Sequence, residues 1–268
     1  ERLFAFIRGY AGAIVGDFVG SVHEFHASKT KDFPLIDPRC RITDDSILTF
    51  AVAEWVMHGT DLVTRFHQLV AEYPNSGWGG MFRQWALARR PAPYNSFGNG
   101  SAMRASPVGW ALASLEEALA AAADSARVTH DHPEGIKGAQ ATAAAVYLAR
   151  TTRDKEGIRR EITARFGYDL ARTVDSIRPH YTFDESCQGT VPEAIVAFLD
   201  STDYEDAIRN AISLGGDADT LACITGGIAH AYYGSIPPLL AQTVLTAVPD
   251  VLRTVWDEFR EKYRVPAH

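Results

Sequence analysis

Thirty consecutive residues, Thr220 to Pro249, contain no Asp, Glu, Lys or Arg. A stretch this free of charge belongs in a membrane or in a protein interior. Gly226-Gly227, Gly234 and Pro237-Pro238 cut it into pieces shorter than the about 20 apolar residues a spanning helix needs. The expectation is two buried helices around a Gly-Ser-Ile-Pro-Pro turn, with no membrane involved. Other helices must then cover them. Apolar residues at 3–4 spacing recur at 46–58, 110–123, 137–150, 191–199 and 204–213, and alanine, the residue easiest to place in a helix, is abundant there. Two-residue alternation bounded by Asn-Gly or Asp-Gly is nearly missing, because Asn99-Gly100 sits among Gly and Ser. The breaks at 26–42, 73–80, 90–107, 129–135 and 179–191 are rich in Gly, Pro and Asn, and none resembles a long flexible linker or a solenoid repeat. These patterns predict one all-α domain over 1–268 with functional loops entering between helices.

Charge and cysteine content remove several function classes. Lys and Arg total 26 against 33 for Asp and Glu, a net charge of −7. An acidic chain lacks the footprint of a general nucleic-acid binder, although a local basic pocket stays open. Cys40, Cys187 and Cys223 are odd in number and widely spaced, which argues against a disulfide framework or a zinc ribbon and fits a reducing cytoplasm. Glu1-Arg2-Leu3-Phe4 shows no apolar signal-peptide core. Monomer is the default expectation.

Two short acidic runs carry unusual chemistry. Thr43-Asp44-Asp45-Ser46 precedes one apolar helix, and Gly215-Gly216-Asp217-Ala218-Asp219-Thr220 precedes the uncharged one. Each could be a helix N-cap, since Thr, Ser and Asp accept bonds from free N–H groups and acids favour the positive helix end. A cap needs one side-chain oxygen, however. Adjacent residues of a first turn diverge by about 100° and alternate ones by about 200°, so these acids cannot all serve one cap. They could grip different faces of an ion cluster. All the donors are oxygens, which selects a hard cation (Mg²⁺, Mn²⁺ or Ca²⁺) over zinc or copper. Upstream, Gly12, Gly16 and Gly20 recur every four residues and give one smooth helix face for close packing. The same helix is read as running on to Glu24, so Asp17 and Glu24 are expected to share a face two turns apart. An acid near a helix C-terminus is unfavourable for the dipole, which hints at a compensating positive charge.

Together these residues resemble the ADP-ribosylglycohydrolase family. The resemblance runs in order through GAIVGDFVGSVHEF (12–25), ITDDSILTFAVAEWV (42–56), GNGSAMRASPVG (98–109), THDHPEG (129–135), VPEAIVAFL (191–199) and SLGGDADTLACITGGIAHAYYG (213–234). It implies a compact all-α fold, a single-domain orthogonal helical bundle, with two Mg²⁺, or Mn²⁺, ions that hold the terminal ribose of an ADP-ribosylated substrate. By motif it implies Glu24, Thr43, Asp44, Asp45, Asp217, Asp219 and Thr220 as metal ligands. Ser46 stands where many members have Thr, and little consequence is expected. The resemblance also implies Asn99, Gly100, Ser101 and Met103 as a loop lining ribose and diphosphate, with His130 near the distal ribose or phosphates. Phe97, Tyr94, Tyr232 and Tyr233 are the candidates for an adenine platform. Arg104 could meet the diphosphate or pair with a structural carboxylate. His130-Asp131-His132 is a poor zinc site without a third spaced ligand, and His23, His26, His58 and His67 show no partner pattern.

The implied reaction is hydrolysis of the N- or O-glycosidic bond between ADP-ribose and an acceptor, releasing ADP-ribose. Such a step needs a grip on the ribose and an activated water, both of which two divalent ions can supply. Glu24 is the expected acid/base group, with Asp44 and Asp45 able to share that role. The substrate is an ADP-ribosylated protein or a small ADP-ribose conjugate, and the acceptor (Arg, Ser, nucleobase or small molecule) is left open. Two alternatives remain: a noncatalytic ADP-ribose-binding or crystallin-like structural relative, and a different two-metal hydrolase such as a phosphoesterase. On the main reading, Glu24, Asp44, Asp45, Asp217 and Asp219 hold five of the seven excess negative charges.

Overall fold

The computed structural model describes residues 9–89 and 91–263, so the absence of a signal-peptide core at Glu1–Phe4 lies outside the described residues. Fifteen helices follow one another there. They begin with α1 (Ala11–Gly20), α2 (Asp44–His58), α3 (Leu62–Glu72), α4 (Gly80–Leu87) and α5 (Gly100–Met103). The middle of the chain gives α6 (Ser106–Ala111), α7 (Leu115–Arg127), α8 (Pro133–Thr152), α9 (Lys155–Phe166) and α10 (Val174–Ile177). The last five are α11 (Cys187–Leu199), α12 (Tyr204–Ser213), α13 (Ala218–Tyr233), α14 (Pro238–Ala247) and α15 (Asp250–Lys262). The fold is all-α, and among the described residues the nearest approach to a sheet is one isolated antiparallel bridge, Gly98 to Ser186.

The uncharged run divides where its punctuation requires. α13 ends on Gly234, whose φ of +74° only glycine adopts without strain, and α14 starts on Pro238. α13 is the buried axis of the molecule, covered from Ala218 to Ala231 by α1, α8, α11 and α12. α14 differs from expectation: it buries only Leu240, Ala241 and Val244 and leaves Leu239 exposed. Freedom from charge therefore marked one buried helix and one lying half on the surface. No helix among the described residues is long and apolar enough to cross a membrane.

The glycine face of α1 packs against α13 at backbone contact. A Cβ on Gly16 would lie 1.9 Å from Ala222 O, and one on Gly12 would lie 2.3 Å from Gly226 O. At Gly20 it would meet Asp219 Cα at 2.5 Å. Any side chain there would push the two helices apart, so this ladder sets the distance between Asp17 of α1 and the acids that open α13.

Several expected bounds move. The 110–123 segment is two helices: α6 ends at Ala111, where Leu112 turns extended, and Ser114 opens α7 with a reciprocal capping box to Glu117. The breaks at 90–107 and 179–191 contain α5 and the first turns of α11. α1 ends at Gly20, so Glu24 lies in the following turn and not on a shared helix face with Asp17. The dipole hint about Glu24 falls with it.

Candidate metal centre

The N-terminus of α2 is held by α1. Thr43 is the N-cap and its Oγ1 accepts from Asp45 N at 3.3 Å. The same hydroxyl donates to Asp17 Oδ1 at 2.6 Å, while Thr43 N donates to Asp17 Oδ2 at 2.8 Å. Ser46 N donates to Asp17 Oδ2 at 3.2 Å, and the Ser46 hydroxyl adds a further short bond to that oxygen. Asp17 is thus a fully buried carboxylate that takes four donors from one turn and fixes where Asp44 and Asp45 point. Thr at position 46 would supply the same hydroxyl, which is why Ser serves there.

The N-terminus of α13 is built differently. Asp217 occupies the N-cap position, yet its side chain caps nothing. It accepts instead from Asn99 Nδ2 at 2.8 Å, and Asn99 also donates to Thr190 Oγ1 at 3.1 Å. The approach to this turn is tight: a Cβ on Gly216 would meet the Tyr181 ring at 2.3 Å, and Gly215 has a φ of +71°. Lys29 ties the loop after Glu24 to this corner by donating to the carbonyls of Arg178, Tyr181 and Leu214.

Both acidic runs meet in space, with α1 and the turn after it. One carboxylate oxygen from each of Asp17, Asp45 and Asp219 lies within 4.8 Å of the others. A second triad of the same span joins Glu24, Asp217 and Asp219. Asp219 belongs to both. Burial, followed by neighbouring charge, pushes the carboxyls of Asp44, Asp45 and Asp219 well above the ordinary range. Burial also raises Asp217, while its close approach to Asp219 and the bond from Asn99 Nδ2 hold it down. Glu24, half-buried, is pushed up to about 7, chiefly by burial and the charge of Asp217, with Arg41 acting the other way. Asp45 Oδ1 is buried without a hydrogen-bond partner. An orphaned acceptor among crowded acids, with only oxygen donors around it, fits a hard divalent cation.

The other expected residues sort unevenly. Thr43 and Thr220 sit at the two helix starts, and Thr220 N donates to Asp219 Oδ1 at 2.9 Å. Asp44 belongs to neither triad and borders the 76–77 turn, its N–H donating to Ser76 O at 2.8 Å. Asn99 reaches the acids directly. Gly100 lies beside His130. Ser101 turns its hydroxyl inward to Gly135 O at 2.7 Å, and Met103 is buried under the same loop, so neither side chain lines an open surface. Arg104 contradicts both of its expected roles: it is fully buried and bonds Ser125 O and Thr129 Oγ1, with no carboxylate partner among the described residues. Phe97 is 49 % exposed beside His132, and Tyr94 lies 5.9 Å from the His130 ring. Tyr232 and Tyr233 pack on Phe198 at the far end of α13, about 20 Å of helix from the acids, and leave the platform candidates. The His130-Asp131-His132 run divides its labour: His130 meets Thr129, Asp131 accepts from Asn95 N, and His132 caps α8. His58 pairs with Glu258, and His23 and His67 lie against Phe33 and Trp85.

Asp17 was absent from the expected ligand set. A signal for it existed, since it is the lone charge in the ten residues of α1, every one of them buried. Asp184, whose charge bears on Asp217, carried no such signal.

Fold and site together define an all-α protein with a buried, oxygen-only acidic centre at the meeting of two helix N-termini. The family model described as ADP-ribosylglycohydrolase matches residues 4–266, and the chain belongs to that family of enzymes. The protein named ADP-ribosylhydrolase ARH3 from Homo sapiens is 27% identical over 304 residues, covering 84% of each chain. ADP-ribosylarginine hydrolase Tri1 from Pseudomonas putida is 27% identical over 201 residues, 70% of this chain and 53% of that one. Among solved structures, an ADP-ribosylglycohydrolase-related protein complex superposes with a TM-score of 0.74 at 26% identity, covering 98% of both chains.

Proposed function

We infer that this chain is a metal-dependent hydrolase that cleaves the glycosidic bond between ADP-ribose and an acceptor on a protein or small molecule, releasing ADP-ribose. The observation that carries this reading is the pair of carboxylate triads sharing Asp219, set in a fold whose relatives are named for that activity. The shared acid suits two divalent ions, Mg²⁺ or Mn²⁺, with Asp45 and Asp219 on one side and Glu24, Asp217 and Asp219 on the other. Thr43, Asp44 and Thr220 complete the proposed ligand set.

Ions held by these residues would supply orientation of the ribose hydroxyls and a more acidic bound water. The chain's own residues do the rest. Asp17 fixes the Thr43–Ser46 turn by four bonds, so the α2 acids do not have to reorganise as charge develops. Asn99 holds Asp217 in one rotamer through Oδ2. Glu24 sits in a turn, reaches solvent, and is proposed to take a proton from water and return one to the leaving acceptor. His130 and Phe97 lie along the Gly98–Gly100 loop, where the nucleotide part of the substrate is placed.

The test is release of ADP-ribose from mono-ADP-ribosylated peptides with Arg or Ser linkages, in Mg²⁺ and again in EDTA. Release in Mg²⁺ that stops in EDTA is expected. Equal release in both would end the metal-dependent reading, binding of ADP-ribose without turnover would favour a noncatalytic reader, and release of AMP would favour a phosphoesterase.

A further inference from the structure

Arg104 follows the Gly100–Met103 turn and is completely enclosed, with the Phe66 ring 4.8 Å from its guanidinium carbon. Its Nη2 donates to Ser125 O at 2.8 Å and to Thr129 Oγ1 at 3.0 Å. A guanidinium is a donor only, so Thr129 Oγ1 accepts in this bond and must still place its own proton. The remaining partner of that hydroxyl is His130 Nδ1, at 2.6 Å. Thr129 is fully buried, and a proton aimed elsewhere would be stranded without an acceptor, which a buried hydroxyl avoids. The proton therefore goes to Nδ1. A neutral imidazole whose Nδ1 accepts carries its own hydrogen on Nε2. Burial, reinforced by the Arg104 charge, holds the ring well below the ordinary histidine range and so keeps it neutral.

Nε2 faces the glycines of the loop. A Cβ on Gly100 would come within 3.2 Å of it, and one on Gly98 within 3.5 Å. Glycine at both positions leaves this nitrogen uncovered, and no hydrogen bond among the described residues ends on it. We propose that Arg104 and Thr129 are positioning residues: by fixing the direction of a hydrogen-bond chain, they set His130 as an Nε2–H donor toward a phosphate or hydroxyl oxygen of a ligand lying over Gly98–Gly100. The ligand half of this proposal rests on the proposed function, whereas the tautomer is a property of the protein alone.

Long-range ¹H–¹⁵N correlation spectra of the full ¹⁵N-labelled chain at neutral pH read the tautomer directly, with His130→Gln supplying the assignment. The wild-type ring is expected to carry its proton on Nε2. Thr129→Val is expected to release the ring into a mixture of tautomers and to weaken ADP-ribose binding about tenfold in calorimetry, the loss of one well-placed donor. Thr129→Ser is expected to restore both. An Nδ1–H ring or an imidazolium in the wild type overturns the relay, as does a Thr129→Val spectrum unchanged from wild type. A changed tautomer with unchanged ADP-ribose affinity overturns the ligand half. Wild-type protein that binds no ADP-ribose while its ring holds Nε2–H overturns the ligand half together with the function, and the spectrum tells this apart from a failed relay.

Discussion

The two helix starts that form the acidic centre solve the same problem in opposite ways. At α2, Thr43 caps the helix and Asp17 supplies four further acceptor contacts, so the turn is satisfied by protein alone. At α13, Asp217 occupies the cap position without capping, and its carboxylate is met by Asn99 from a distant loop. One turn is capped and held by its own neighbours, and the other is not capped by its acids at all, although each sends an acid, Asp45 or Asp219, into the cluster. Helix capping explains Thr43 and does not explain Asp217 and Asp219. The demand for a cation therefore comes from Asp217 and Asp219 at α13 and from the unpartnered Oδ1 of Asp45 at α2, while the Thr43–Ser46 turn itself is held rigid by protein.

That contrast can be broken by substitution. The largest effect is expected at the shared acid: Asp219→Ala should lower kcat/KM about a thousandfold, the several kcal/mol a bound ion contributes, and should abolish stabilisation by Mg²⁺ in thermal melts. Asp17→Asn keeps the shape of the side chain but replaces one acceptor oxygen with a donor facing Thr43 or Ser46. It should weaken Mg²⁺ binding about 10–100-fold by calorimetry, as loss of a group supporting the ligands does. Asn99→Ala should cost about tenfold in kcat/KM by freeing Asp217, with melting temperature little changed.

The pH dependence of the metal-free protein sharpens the same point. Glu24 has a folded-state value of about 7 against an ordinary 4.5. A carboxyl raised on folding binds its proton more tightly in the native state, so its contribution is complete below its unfolded value and is lost as pH rises through the folded one. Metal-free protein should therefore lose stability between about pH 4.5 and 7, in the same direction as the buried aspartates push it. Saturating Mg²⁺ should flatten that slope in urea titrations. The smallest effect on folding belongs to the α2 cap: in metal-free protein Thr43→Val should cost about 1 kcal/mol of stability as a lost cap, and Thr43→Ser, which keeps the proposed ligand oxygen, should recover it.

Much of the fold was legible because the signals were local. Residues 204–213 carry a clean apolar period and form α12 with those bounds, and Gly234 with Pro237-Pro238 divides the uncharged run. The Gly12, Gly16 and Gly20 ladder foretold a close helix contact, although its partner, α13, lies about 200 residues away and could not be read from spacing. Glu24 was placed on α1 because periodicity says nothing of where a helix stops, and no capping signal stood at Gly20. Asp17 stands apart from both acidic runs in sequence, so spacing pairs it with Glu24 alone; only the packing of α1 on α13 brings it between the runs. Arg104 shows the opposite failure. Its charge suggested a phosphate or a carboxylate, whereas tertiary packing gave it a carbonyl, a threonine and an aromatic face.

The account turns on Asp219 serving two sites at once. Calorimetric titration of Mg²⁺ or Mn²⁺ into metal-free protein, repeated with Asp219→Ala, tests this most directly. The expected result is two ions per chain in the wild type and loss of both in the variant. One ion per chain, or a variant that still binds an ion with wild-type affinity, would contradict it.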